Sequence, residues 1–110
     1  MRAAGLTPMK KVEIVVPSDV VPAVRDLLDS RASGYTQIAP VSGRGHHGFH
    51  EGKVLFNDLA GHTMIVTVID AERVEAVLAG LVPMLERESG VVWVSDVAVS
   101  RATYFAPVPA

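Results

Sequence analysis

GRGHHGFHEG, residues 43–52, opens a stretch that runs to Gly61 and shows neither the 3.6-residue period of a helix nor the two-residue period of a strand. Glycine and histidine dominate it. A connection this long without apolar periodicity is unusual inside a compact domain and is ordinarily functional or disordered. It therefore reads as a mobile loop spanning about residues 43–61. Its position matters more than its composition, because it divides the chain into two halves that read alike.

Upstream, Lys10 to Val16 turns from partial alternation to an apolar run (Val12, Ile14, Val15, Val16), as a mostly buried strand does. Pro17 stops it, and Ser18 is a residue type that caps helices. Val20, Val24, Leu27 and Leu28 recur at helical spacing, with Pro22 early enough to be tolerated. Gly34 punctuates. Tyr35 to Ser42 forms a weaker strand, since Pro40 suits only an edge or a bulge. Downstream the order repeats. Thr63 to Ile69 is a strand, and Asp70 is placed to cap a helix whose apolar face is Val74, Val77, Leu78, Leu81 and Leu85. Pro83 should kink or end that helix. Gly90 punctuates, and Val91 to Val99 is the last strand. The expected organisation is a disordered tail over residues 1–9, one domain over 10–105 and a C-terminal tail over 106–110.

Strand, helix, strand, twice over, predicts an α+β, ferredoxin-like βαββαβ sandwich with both helices on one sheet face. The other face is then bare, and the outer strands are too apolar to leave it wet. Composition agrees: 49% of the 110 residues are hydrophobic, and mean hydropathy is +0.32. A chain this small exposes much of its surface, so excess apolar residues predict a second burial surface. A homotrimer with its sheets facing inward is the expected source. Net charge is −2 with no basic block, which speaks against nucleic acid as a partner. No apolar run approaches a membrane span, the first residues lack a signal peptide's apolar centre, and cysteine is absent. A cytoplasmic location is expected, with no membrane insertion.

Two further segments carry a resemblance. Gly34-Tyr35-Thr36, followed by Val41-Ser42-Gly43-Arg44-Gly45, resembles the G-x-T strand and V-x-G-x-G turn at the start of the T-loop in PII signalling proteins. Ser89-Gly90-Val91-Val92-Trp93-Val94-Ser95-Asp96-Val97 resembles that family's second binding loop and last strand. The likeness runs over roughly residues 10–104, in order. It implies a non-catalytic sensor that binds adenine nucleotide in the clefts of a trimer and reports it to a protein target through the T-loop. By family position, Ile14, Thr36 and Val68 would line the adenine, with Gly43, Arg44, Gly45, His46, Gly90 and Arg101 at the remainder of the site.

The departures shape that expectation. The loop Glu86-Arg87-Glu88-Ser89-Gly90 is short, and Val91 stands where PII proteins carry a phosphate-binding lysine. The family's paired arginines do not align, Arg101 being one place out of register. The T-loop has Phe49 and Phe56 but no modifiable tyrosine. The chain thus resembles a divergent branch tied to inorganic-carbon uptake and carboxysomes. This implies a site that favours ADP or AMP relative to ATP more than a PII protein does, with ATP kept open as a ligand, because each lost charge-assisted bond to phosphate is worth about 1.5–3 kcal/mol. It also implies bicarbonate as a second anion and a transporter or carbon-fixation component as target. No cofactor is required.

The physical case for the anion site is that glycines 43 and 45 let backbone amides approach an oxyanion, with Arg44 and His46 beside them. Other readings remain open. G-R-G also serves as a plain hinge, and Ile14 and Val68 also suit core packing. His46, His47, His50 and His62 suggest a trimeric metal-binding relative, although zinc needs three or four ligands in fixed geometry. A structural microcompartment oligomer would need no ligand at all. An enzyme is not expected, for the chain has no Walker lysine, no G-x-S-x-G and no cysteine nucleophile. Gly43→Val is expected to abolish nucleotide binding in a chain that still folds, since a Cβ would occupy the anion's approach. Unchanged affinity by calorimetry in a folded variant would remove Gly43 from the site.

Overall fold

The computed structural model describes residues 5–32, 34–43 and 61–105. The strand β1 (Thr7–Pro17) leads through a three-ten turn at Ser18–Val20 into the helix α1 (Val21–Arg31), and β2 (Thr36–Val41) follows. The second half is β3 (His62–Ile69), a turn at Ala71–Arg73, α2 (Val74–Glu88) and β4 (Val91–Val99). A last three-ten turn, Ala102–Phe105, closes the described chain. The four strands form one sheet in the order β2-β3-β1-β4, every neighbour antiparallel. This is the ferredoxin-like α+β arrangement that the repeated strand-helix-strand reading predicts.

Alternation divides the sheet into two faces. Val12, Ile14 and Val16 of β1 stand opposite Thr67, Ile65 and Thr63 of β3. All six are buried, and with Ile69 they form the sheet's side of the core. Val21, Val24 and Leu28 of α1 and Val77, Leu81 and Leu85 of α2 close it from above. The two buried threonines are satisfied as buried hydroxyls must be. Thr67 Oγ1 donates to the Gly34 carbonyl at 2.6 Å, and Thr63 Oγ1 pairs with Ser18 Oγ at 2.8 Å. The helices meet closely at Gly80, where a Cβ would stand 2.6 Å from a methyl of Leu27.

Four expectations are corrected. β1 begins at Thr7, because β4 extends to Val99 and supplies backbone partners for Thr7, Pro8 and Met9 whatever their side chains. Neither Ser18 nor Asp70 makes a side-chain cap. The Ser18 hydroxyl is engaged by Thr63, and Asp70 Oδ1 accepts from Arg73 Nε at 2.8 Å. Finally, α2 runs through Pro83 to Glu88. Pro83 and Ala79, whose carbonyl loses its partner, are both exposed, so water can serve that carbonyl. The reading of Pro40 holds: β2 is an edge strand, and its register shifts between Ile38 and Val41. Residues 1–4, 33, 44–60 and 106–110 lie outside the described residues, and so do the first four residues of the expected N-terminal tail, the C-terminal tail and the body of the T-loop; residues 7–9 of the expected N-terminal tail belong to β1. Leu81→Ala, at a fully buried position, is expected to cost about 2–5 kcal/mol. A loss well under 1 kcal/mol in urea unfolding would show that α2 is not seated as described.

Candidate functional site

Antiparallel pairing brings three glycine-bounded segments to one end of the sheet. β2 ends at Val41, opposite His62, and Gly43 follows two residues later. Gly61 leads into β3 with a φ of +74°, and its carbonyl accepts from the Ser18 amide at 3.2 Å. Gly90 leads into β4, whose first residue Val91 pairs with Val15. The ends of the described chain on either side of residues 44–60 therefore sit beside the second loop without any contact between helices being needed.

Gly90 is fixed there by packing. α2 ends with Ser89 in the left-handed region at φ 63°, and the Gly90 amide returns to the Leu85 carbonyl at 3.0 Å. This is the kind of six-to-one bond that terminates helices. A Cβ at Gly90 would lie 2.6 Å from a methyl of Leu85, 2.9 Å from one of Val16 and 3.2 Å from the Val15 carbonyl. The loop is thus pressed onto the end of β1, and only glycine permits it.

The predicted lining residues do not share one surface. Ile14 is fully buried on the helix-covered face, in the core. Thr36 and Val68 belong to the opposite face, because Thr36 pairs with Val66 and Val68 with Lys11. The β1 residue on their face is Val15, which lies across from Met64 and Val91 and is 4% exposed. The expectation for Ile14 is corrected on that ground: the strand's apolar run hides which of two neighbours points each way. Alternation counted back from the charged pair Lys11 and Glu13, which cannot face the core, would have chosen Val15. Arg44, Gly45 and His46 lie outside the described residues, as do His47 and His50. Among the described residues no cluster could hold a metal ion. His62, the remaining histidine, is buried.

Arg101 stands apart from the glycines. β4 separates Gly90 from it by roughly 27 Å, at about 3.4 Å per residue. Its guanidinium lies 5.8 Å from the ring centre of Tyr104, and its backbone is left-handed at φ 54°. This far end also holds two adjoining grooves. One, of about 330 Å³, is lined by Pro8, Met9, Lys10, Ala71, Asp96 and Val97. The other, of about 310 Å³, includes Thr7, Arg73, Thr103 and Phe105. Lys10 donates to Asp96 and, through that bond first and its charge second, holds the Asp96 carboxyl below its ordinary range. The pair is exposed, so it adds little stability. One chain therefore carries glycine-bounded loops at one end and Lys10, Arg73 and Arg101 at the other.

The chain matches the nitrogen regulatory protein P-II family over residues 9–104. It is similar to CPII, a nitrogen regulatory PII-like protein from Thiomonas intermedia K12, solved bound to ADP, AMP and bicarbonate. The two are 38% identical over 94% of this chain and 98% of that one, with a TM-score of 0.77. The same protein bound to ADP, AMP and acetate matches at 36% identity over 91% and 96% of the two chains, with a TM-score of 0.78. A PII-like signalling protein from Thermus thermophilus, at 22% identity, 96% and 100% coverage and a TM-score of 0.72, shares the fold. No curated protein matches the chain.

Gly90→Ala is expected to destabilise the fold by about 1–3 kcal/mol, the cost of overpacking against Leu85, Val16 and the β1 backbone. A urea midpoint equal to that of the unaltered chain would show that the loop has room to spare.

Proposed function

Since the chain belongs to the nitrogen regulatory protein P-II family, we propose that it is a non-catalytic sensor of adenine nucleotide, ADP or AMP before ATP, with bicarbonate as a second ligand. The observation that carries this reading is the likeness to CPII, whose structure contains ADP, AMP and bicarbonate together and which aligns with nearly the whole of this chain. The geometry supports it from below. Gly43 and Gly90 bound the end of the sheet where backbone amides can meet an anion without an intervening Cβ. Val15, Met64, Val66 and Val68 offer the same face an apolar floor suited to a purine.

The separation of Arg101 from the glycines supports a site between subunits. A single chain cannot direct Gly43 and Arg101 at one ligand; the glycine end of one copy set against the far end of the next can. A trimer with bare sheet faces inward provides that arrangement and buries Ile38 and Trp93, which are 47% and 43% exposed in the single chain. Val91, in place of a phosphate-binding lysine, leaves fewer donors for a third phosphate, which favours ADP and AMP. Bicarbonate then occupies an anion position near the glycine end, with Arg44 as the planar donor fork. Ligand binding at the roots of the 43–61 segment, Gly43 and Gly61, passes to a protein target in inorganic-carbon metabolism through that segment. No helix among the described residues is long and apolar enough to cross a membrane, and we place the protein in the cytoplasm.

Linkage requires that two ligands sharing one site alter each other's affinity by one common factor. ADP is expected to bind with a dissociation constant that differs between bicarbonate and chloride at matched pH and ionic strength, by calorimetric titration. Equal affinities in the two series would overturn the coupling and leave a nucleotide sensor alone. Zinc binding without ADP binding would overturn the sensor in favour of a metal-binding protein, and the absence of both would favour a structural oligomer.

A further inference from the structure

The bare sheet face is not uniformly apolar. At its centre stand Lys11 and Glu13 of β1, two residues apart on the face occupied by Val15, Met64, Val66 and Val68. Glu13 is the less exposed of the two: its side chain is 18% exposed and that of Lys11 36%. Trp93, opposite Glu13 on β4, donates its indole N–H to Glu13 Oε1 at 2.9 Å. Lys11 Nζ lies 3.3 Å from the same oxygen. A carboxylate held this low on an apolar surface is costly to cover unless it is bonded from every side.

Among the described residues both contacts end on Oε1, so Oε2 is left for another donor. Lys11 stands at ion-pair distance from that oxygen and keeps N–H groups for a further acceptor. The face thus offers one spare acceptor and one spare donor, a few ångströms apart and of opposite charge. A surface with both is complementary to itself: a second copy can give its Lys11 to this Glu13. A partner of a different kind would need the same two charges in the same spacing.

We propose that Lys11 and Glu13, oriented by Trp93, form the ion pair that crosses between copies on the bare face, setting their register and making assembly selective for this chain. The inference rests on the proposed trimer and adds to it the residues that choose the partner. Paired charges buried at an interface contribute little net stability but penalise wrong pairings heavily. The indole bond fixes the carboxylate in one orientation, which a single register alone can satisfy.

The test uses the full chain and charge exchange, with oligomeric state read by sedimentation and exchange read by mixing differently tagged copies. K11E is made in the unaltered chain, where Glu13 still accepts from Trp93, and K11E/E13K in a Trp93→Phe background, so that the indole N–H is not left without an acceptor when position 13 changes. Circular dichroism reports that the helices are retained, which is expected because the pair lies on the face away from the core. K11E alone should weaken self-assembly at least about tenfold, the effect of setting like charges together at close range. K11E/E13K should restore assembly with itself while failing to exchange into oligomers of the Trp93→Phe chain. Undiminished assembly of K11E, or free exchange of K11E/E13K with the Trp93→Phe chain, would overturn the pair and leave the trimer standing. A monomeric unaltered chain would overturn the trimer and the pair together.

Discussion

The arrangement depends on β1 being paired along both edges. Thr7 to Pro17 is bonded to β4 over Thr7–Val15 and to β3 over Lys10–Pro17, so its backbone is paired on both sides over Lys10–Val15. With the strand fixed in the middle of the sheet, the side chains have no freedom to choose their faces. Val12, Ile14 and Val16 must point to the helices and Lys11, Glu13 and Val15 away from them. A slip of one residue would bury Lys11 and Glu13 in the core and expose three apolar side chains. That penalty locks the register, and the register in turn determines what each end and each face of the sheet can do.

Its consequence for function is a division by position. The glycines that permit close backbone approach collect where β2 ends and where β3 and β4 begin. The cationic side chains Lys10, Arg73 and Arg101 collect where β1 begins and β4 ends. Strand direction makes this unavoidable, because β1 and β2 end and β3 and β4 begin at one end of the sheet, while β1 begins and β3 and β4 end at the other. A ligand with both a purine and phosphates needs an apolar face, close amides and cations. One chain holds all three but cannot bring them together. The proposed site between subunits resolves this, and the same step covers the face that the helices leave open.

That face also accounts for the composition. The core described here uses the apolar residues of both helices and of alternate positions in β1 and β3. Ile38, Met64, Val66, Val68, Val91 and Trp93 remain, and they are the excess that raises the mean hydropathy of a chain with 20% charged residues. Lys11 and Glu13 interrupt the patch at its centre. On a surface intended for water they would need no explanation; on one proposed to be covered, their bond through Trp93 is what makes covering tolerable.

Much of the architecture is legible in the amino-acid order. Two helical periods, four apolar runs and the glycines at 34, 43, 61 and 90 give the element order, and the proline at 40 marks an edge, because these signals are local and each acts over a few residues. The family is legible for the same reason: the G-x-T and V-x-G-x-G spacings are contiguous. Which of Ile14 and Val15 faces the bare side of the sheet is different in kind. In the run Ile14-Val15-Val16 every residue is apolar, so the run itself carries no phase; the phase lies in Lys11 and Glu13 before it, and pairing with Ile65 on one side and Val92 on the other assigns Ile14 to the core. The partner of Ser18 was hidden, since its hydroxyl is claimed by Thr63, forty-five positions away. The sequence by itself determined the elements and their order. Tertiary structure alone decided which strands lie side by side and which distant partner Ser18 takes, because those choices are made by segments far apart in the chain whose pairing no local pattern records.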